Sequence, residues 1–262
     1  MVEISTEAVH GGPMTATNPY ETDSLLREYL MLHFGRAEDI FGNLPGPREA
    51  AGFAQRCVND LIDLKSLTPS AKALDVGCAV GGSAFELAVS CSSVLGVDYS
   101  RGFIEAARRL AAEGSVASSV LIEAGRMAPF EAVVPGAGDR SRVRFEVGDA
   151  MALDPSLAGF DVVLAANLIC RLPEPTKFID RLPSLVAPGG QLLLATPFTW
   201  LEDYTPCENW LGRSKPGIEE LGDKLAPHFA LEHQTELPFV IREHARKFQY
   251  GVSHGTRWRR LS

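Results

Sequence analysis

The sequence predicts an α/β domain, a mostly parallel sheet with helices on both faces. Three observations carry this. From Lys72 onward, short apolar runs alternate with longer stretches of helical periodicity, the pattern of strand–helix–strand crossovers. The first apolar run gives way to small residues in ALDVGCAVGG, as a chain must when it turns sharply from strand into helix. Near the end, FALEHQTELPFV and KFQYGVSHGTRW read as two extended runs close in sequence, which predicts a terminal antiparallel hairpin on the parallel sheet. No internal repeat of 20–50 residues is visible.

Residues 1–17 are small and polar and read as a flexible arm, leaving 18–262 as the domain. Within it, 18–47 forms an N-terminal helical cap segment, or lid. In ETDSLLREYLMLHFG, Leu25, Tyr29 and Leu32 recur at helical spacing, as do Leu26, Leu30 and Phe34. Thr22 or Asp23 can cap this helix, and Gly35 can end it. A Pro/Gly loop occupies 42–47. A second helical pattern over 48–67 turns Phe53, Cys57, Leu61 and Leu64 inward, and Pro69 breaks it. Strand and helix then alternate: ALDV, a helix over 82–90, VLGVD, a helix over 101–113, VRFEVGD, DVVLAANL, a helix over 175–186, QLLLATP and a helix over 216–227. Residues 114–141 interrupt this rhythm as an insertion, either a lid over the site or an inert excursion.

The 262 residues suit one large α/β domain. A net charge of −8 and a pI near 5.3 oppose a phosphate backbone or an anionic lipid surface. Neither nucleic acid nor membrane is expected as a partner. The apolar runs are all too short to span a bilayer. MVEISTEAVHGGPMTATNPY lacks the basic start and apolar block of a secretory leader. Five cysteines with no C-x-x-C pair read as reduced, mostly buried thiols. Together these predict a cytoplasmic protein.

The chemistry concentrates at predicted strand ends. Asp75 precedes the loop in which Gly77, Ala79 and Gly81 alternate. Small residues there let a ligand lie against the backbone near a helix N-terminus. Asp75 can meet a positively charged amino group. Asp98 ends VLGVDYS, where a carboxylate can accept both hydroxyls of a ribose, and Tyr99 can lie against an adenine. Asp149 in EVGDAMAL can accept from an adenine amino group, with Ala150 and Met151 as backbone partners and apolar cover. Asn167 and Leu168 end the fourth run, and a Pro-Gly-Gly turn enters the fifth. A nicotinamide dinucleotide site would also place an acid after its second strand. The loop here lacks the G-x-x-G spacing of pyrophosphate binding.

This succession resembles the class I S-adenosylmethionine-dependent methyltransferases over about residues 48–260. The resemblance implies a Rossmann-like, seven-stranded sheet whose last strand runs antiparallel. It implies a cofactor pocket for S-adenosylmethionine built from Asp75, Gly77, Cys78, Ala79, Gly81, Asp98, Tyr99, Asp149, Ala150, Met151 and Asn167. By analogy with the fold, Arg56 would meet the cofactor carboxylate. No metal is implied.

Further segments are more specific: NPYETDSLLREYLMLHFG, LAANLICRLP, TPFTWLEDYTP with ENWLG, and PFVIREHARKFQYGVSHGTRWRR. Together they are similar to the 4-mercaptohistidine N-methyltransferase module of ovothiol biosynthesis, from about residue 18 to the end. That resemblance implies methylation of a ring nitrogen of 5-thiohistidine to give ovothiol A. In many relatives this module is fused behind a non-haem-iron sulfoxide synthase. The six histidines here contain no H-x-x-x-H-x-E arrangement, so a separate iron-dependent synthase is the implied pathway partner. Relatives often carry aspartate where this chain has Cys170, so the acceptor contact at that position is in doubt.

The candidate acceptor contacts follow. Asn18, Tyr20 and Glu21 either close over the methyl donor or simply enter the first helix. Asn167 can orient the ring. Phe198 and Trp200 either wall it or belong to the core. Arg242, Arg246 and Lys247 can grip a carboxylate or form a solvated turn. Tyr20, Asn167 and His254 are the catalytic candidates, His254 as a base. The rival functions are a methyltransferase for another small amine or thiol, a non-catalytic binding module, and a nicotinamide oxidoreductase.

Overall fold

The computed structural model describes residues 20–136 and 138–262. The expected arm, together with Asn18 and Pro19, lies outside the described residues. The chain begins with helices α1 (Asp23–Phe34), α2 (Ala37–Phe41) and α3 (Phe53–Asn59), followed by β1 (Lys72–Val76), α4 (Gly82–Ser90), β2 (Ser93–Asp98) and α5 (Arg101–Glu113). Next come β3 (Ser115–Glu123), β4 (Arg126–Val133), β5 (Val143–Val147), β6 (Phe160–Ala166), α6 (Pro175–Leu185) and β7 (Val186–Thr196). The last elements are α7 (Gly217–Leu225), β8 (Phe229–His244) and β9 (Lys247–Arg260).

Seven strands form one sheet in the order β5-β2-β1-β6-β7-β9-β8. The pairs from β5 to β7 are parallel, while β9 runs antiparallel to both β7 and β8. Side chains alternate across a strand, and the core divides accordingly. Ala73, Val162, Leu164 and Leu193 face the layer of α3, α4 and α5. Leu74, Val163, Leu192 and Leu194 face the layer of α6 and α7. Strands buried on both sides are the reason these runs read as continuously apolar. No helix among the described residues is long and apolar enough to cross a membrane.

One expectation needs correction. Residues 48–67 do not form one helix: they hold a 3-10 turn at Arg48–Ala50, α3, and a second 3-10 turn at Leu64–Ser66. Gly52 sits at φ 69° before α3, a left-handed conformation that starts a new helix rather than continuing one. Leu64 is consequently 57% exposed rather than inward. The 114–141 insertion is largely ordered as an antiparallel hairpin, β3 with β4. Its two-residue turn places Ala124 and Gly125 at φ 47° and 79°, the left-handed pair that matches the strand twist. The hairpin packs on α1, α5 and β8. Leu30 and Met31 of α1 are buried beneath the same cover. Thr22 caps α1 by accepting from the Leu25 amide.

Candidate active site

The strand order reverses between β1 and β6. Open α/β sheets leave a crevice outside the carboxyl ends at such a point. A cavity of about 380 Å³ lies there, within the size range of small-molecule sites.

The bend after β1 forms its floor. Gly77, Ala79 and Gly81 take φ of 73°, 47° and 89°. A Cβ on Gly77 would lie 2.9 Å from Leu168 Cδ1, so a larger residue would have to displace Leu168 and also bear the strain of a left-handed backbone. Ala79 tolerates the same region at a cost of about 1–2 kcal/mol. Its amide is held by Asp98 Oδ2 at 2.9 Å, and Asp98 Oδ1 accepts from Ser100 N at 2.8 Å. Each carboxylate oxygen keeps a further lone pair for the cavity. Asp149 Oδ1 accepts from Met151 N at 2.8 Å, which fixes the turn beyond β5.

Asp75, Asp98 and Asp149 thus line one wall. Asp75 is buried, and its Oδ2 has no partner among the described residues. Burial pushes its carboxyl up to about 8, with the charge of Asp98 adding to the effect. Asp98 is also raised, by burial first, against the lowering pull of the Ser100 and Ala79 amides. A buried carboxylate without a donor is costly. The arrangement fits a ligand bearing a cationic amino group and vicinal hydroxyls.

Of the other predicted positions, Tyr20, Gly77, Ala79, Tyr99, Ala150, Met151 and Asn167 line the cavity. Asn167 is left-handed at φ 53°, and its Oδ1 accepts from Ser253 Oγ at 2.6 Å.

The rest lie elsewhere. Cys78 is buried with Sγ facing Gly96 of β2, and Gly81 backs onto Phe145. Glu21 accepts from the amides of Arg101 and Gly102 at the start of α5. Arg56 donates to the carbonyls of Ala50, Ala51 and Pro238. Phe198 packs on Gly217 at the start of α7, and Trp200 Nε1 donates to Leu211 O in the loop before that helix. Arg242 donates to Asp39 O. Arg246 is exposed at the β8–β9 turn, and Lys247 pairs there with Glu243. His254 faces Gln234 and Glu236. Its neighbour Ser253 reaches Asn167, and adjacent strand residues point to opposite faces. These ten residues do not line the cavity.

Several lining residues were not singled out from sequence. Tyr29 and His33 are four apart on α1 and share a face. Phe239 and Ile241 are two apart on β8. Tyr20, Tyr29, Phe103 and Tyr204 form an aromatic cluster in the cavity wall, with Tyr29 and Phe103 at 4.8 Å between centroids. Burial raises both Tyr20 and Tyr29 well above the ordinary phenol value, so both hydroxyls stay protonated. His33 Nδ1 accepts from Gly82 N at 3.1 Å. That bond assigns the ring proton to Nε2. Burial lowers His33 to about 4.

Residues 48–245 match the family described as "Methyltransferase domain". The chain belongs to this family. Its members use S-adenosylmethionine as methyl donor. Methyltransferase GfsG of Streptomyces halstedii is 27% identical over 160 residues, covering 59% of this chain and 49% of that one. The chain spans about half the length of the first curated relatives it matches. Among solved folds, N-methyltransferase NodS of Bradyrhizobium japonicum WM9, in complex with S-adenosyl-L-homocysteine, superposes with a TM-score of 0.52. It is 16% identical, with 90% of this chain and 99% of that chain covered. The [4+2]-cyclase SpnF gives 0.57 at 16% identity, covering 92% and 94%. Both show a shared fold. The cyclase illustrates that this methyltransferase-family fold carries more than one chemistry.

Proposed function

We propose that the chain is an S-adenosylmethionine-dependent methyltransferase acting on a small molecule. The observation that supports this most is the wall of three strand-end aspartates with the partnerless Asp75 Oδ2. Asp75 would receive the cofactor's amino group, Asp98 the ribose hydroxyls, and Asp149 with Met151 the adenine edge. When bound, the cofactor supplies an electrophilic methyl on a sulfonium. The chain's part is to hold an acceptor in line and keep water out. Tyr20, Tyr29, Phe103 and Tyr204 supply that apolar cover. Asn167, its oxygen accepting from Ser253, has amide N–H groups to offer an acceptor. His33 holds its proton on Nε2 and acts as a donor, because the Gly82 amide occupies its other nitrogen. His254, outside the cavity, is not part of this reading.

The acceptor we propose is the ring nitrogen of 5-thiohistidine, giving ovothiol A, with a separate iron-dependent synthase supplying the thiohistidine. The support is the resemblance of the N-terminal segment, LAANLICRLP and the terminal hairpin to that family. Incubation with labelled S-adenosylmethionine and 5-thiohistidine, read by mass, should show ovothiol A. Turnover only with another small amine or thiol rejects this acceptor and keeps the class. Cofactor binding without turnover on any acceptor favours a non-catalytic module. In calorimetry, Asp98→Ala should weaken S-adenosylmethionine binding by roughly 10-fold, the loss of one or two charge-assisted hydrogen bonds. Unchanged affinity would refute the placement of the ribose.

A further inference from the structure

Arg171 stands in the cavity wall, at the end of the 3-10 turn Ile169–Arg171 that follows β6. Its Nη1 donates to Thr199 O at 2.6 Å and to Cys170 O at 2.9 Å. Its guanidinium carbon lies 5.3 Å from the centre of the Tyr204 ring. These contacts fix the head group without neutralising it. Among the described residues Arg171 has no ion-pair partner, and its Nε and Nη2 have no hydrogen-bond partner. Asp203 lines the same cavity but is exposed at its rim.

The Tyr204 ring attracts the guanidinium and helps to hold it, while the unpaired Nε and Nη2 remain able to receive an anion. A guanidinium also offers two parallel donors that match a carboxylate. Asn167, four residues earlier, lines the same cavity, and the Ser253 Oγ bond to its Oδ1 leaves its amide N–H groups as donors. The cofactor's expected cationic contact, Asp75, belongs to β1, whereas Arg171 and Asn167 follow β6. The donors therefore lie on the other side of the switch point from the cofactor's floor.

We propose that Arg171 sets acceptor specificity by binding a carboxylate, so the acceptors are small carboxylic acids, amino acids included. This rests on the methyl-transfer reading. Arg242, Arg246 and Lys247, the cations expected from sequence to do this, lie outside the cavity.

The test uses two matched pairs of probes on protein loaded with S-adenosylhomocysteine. These are 5-thiohistidine against its decarboxylated counterpart 5-thiohistamine, and 3,4-dihydroxybenzoate against catechol. In calorimetry, the acid of at least one pair should bind about 10-fold or more tightly than its partner, the scale of a charge-assisted pair of hydrogen bonds. Arg171→Met should bring the acid down to its partner's affinity and leave that partner and S-adenosylhomocysteine unchanged. Arg171→Lys should retain part of the preference. If Arg171→Met does not fold, by thermal melting, a several-fold smaller preference in Arg171→Lys carries the test. The proposal is overturned if no acid binds, if acids bind no better than their partners, or if the preference survives Arg171→Met. It is also overturned if folded Arg171→Met loses S-adenosylhomocysteine instead, which would put the guanidinium against the cofactor. Failure of S-adenosylhomocysteine to bind the wild type rejects the methyl-transfer reading itself.

Discussion

At the scale of single residues, Asp75 has the sharpest consequence. Its carboxyl is raised to about 8 by burial and by Asp98, against an unfolded value of about 3.9. The native state therefore holds the proton more tightly than the unfolded chain. This contribution to stability is full below about pH 4 and is lost as pH rises through about 8. Ligand-free protein should lose about 2 kcal/mol between pH 6 and 8 from this group. Asp75→Asn should flatten that decline and melt higher than wild type at pH 8.5. Parallel melting curves across the range would show that the carboxyl does not titrate as described. Asp75, Asp98 and Asp149 were legible because a strand that ends in an acid before small residues has a fixed place in the fold. Tyr29, His33 and Arg171 were not. On a helix face, an aromatic over a cavity has the same spacing as an aromatic in the core. Arg242 misled for a related reason: sequence does not show that a backbone carbonyl, here Asp39 O, will occupy its guanidinium.

At the scale of elements, the β3–β4 hairpin depends on its turn. Gly125 adopts φ 79°, where a β-branched side chain is strongly disfavoured. Gly125→Val should lower stability by about 1–2 kcal/mol, read as a lower urea midpoint with an unchanged slope. An unaltered midpoint would mean that the turn contributes nothing to the hairpin. The hairpin was read only as an insertion because Ala-Gly is a weaker turn signal than Asn-Gly, and because β3 and β4 are mostly half-buried or exposed. The segment 48–67 failed differently. Its apolar spacing is helical, but Gly52 resets the backbone before Phe53, and periodicity alone cannot register a break that leaves the spacing intact. The crossover helices α4, α5 and α6 fell close to their expected bounds because each is flanked by a strand pattern with a different period.

At the scale of the whole molecule, binding and folding are linked. A ligand that occupies the cavity only in the native state stabilises it by about 2.7 kcal/mol at 100 times its dissociation constant. For a chain of this size that is about 5–10 °C in melting temperature. S-adenosylhomocysteine should produce such a shift, growing with concentration, and a constant melting temperature at millimolar ligand would exclude the site described. The parallel core of this architecture was legible from alternation alone, because β1, β2, β6 and β7 are largely buried on both sides. The terminal antiparallel hairpin was legible from its two extended runs, but the insertion of β9 between β7 and β8 was not. That strand order has a consequence for biosynthesis. Since β9 lies between β7 and β8, β8 has no neighbour in the sheet until the ribosome has released the residues that come after it. The apolar flank of β7 stays open for the same interval, so a nascent chain halted near Ala245 would expose a raw sheet margin, a target for chaperones and a seed for aggregation.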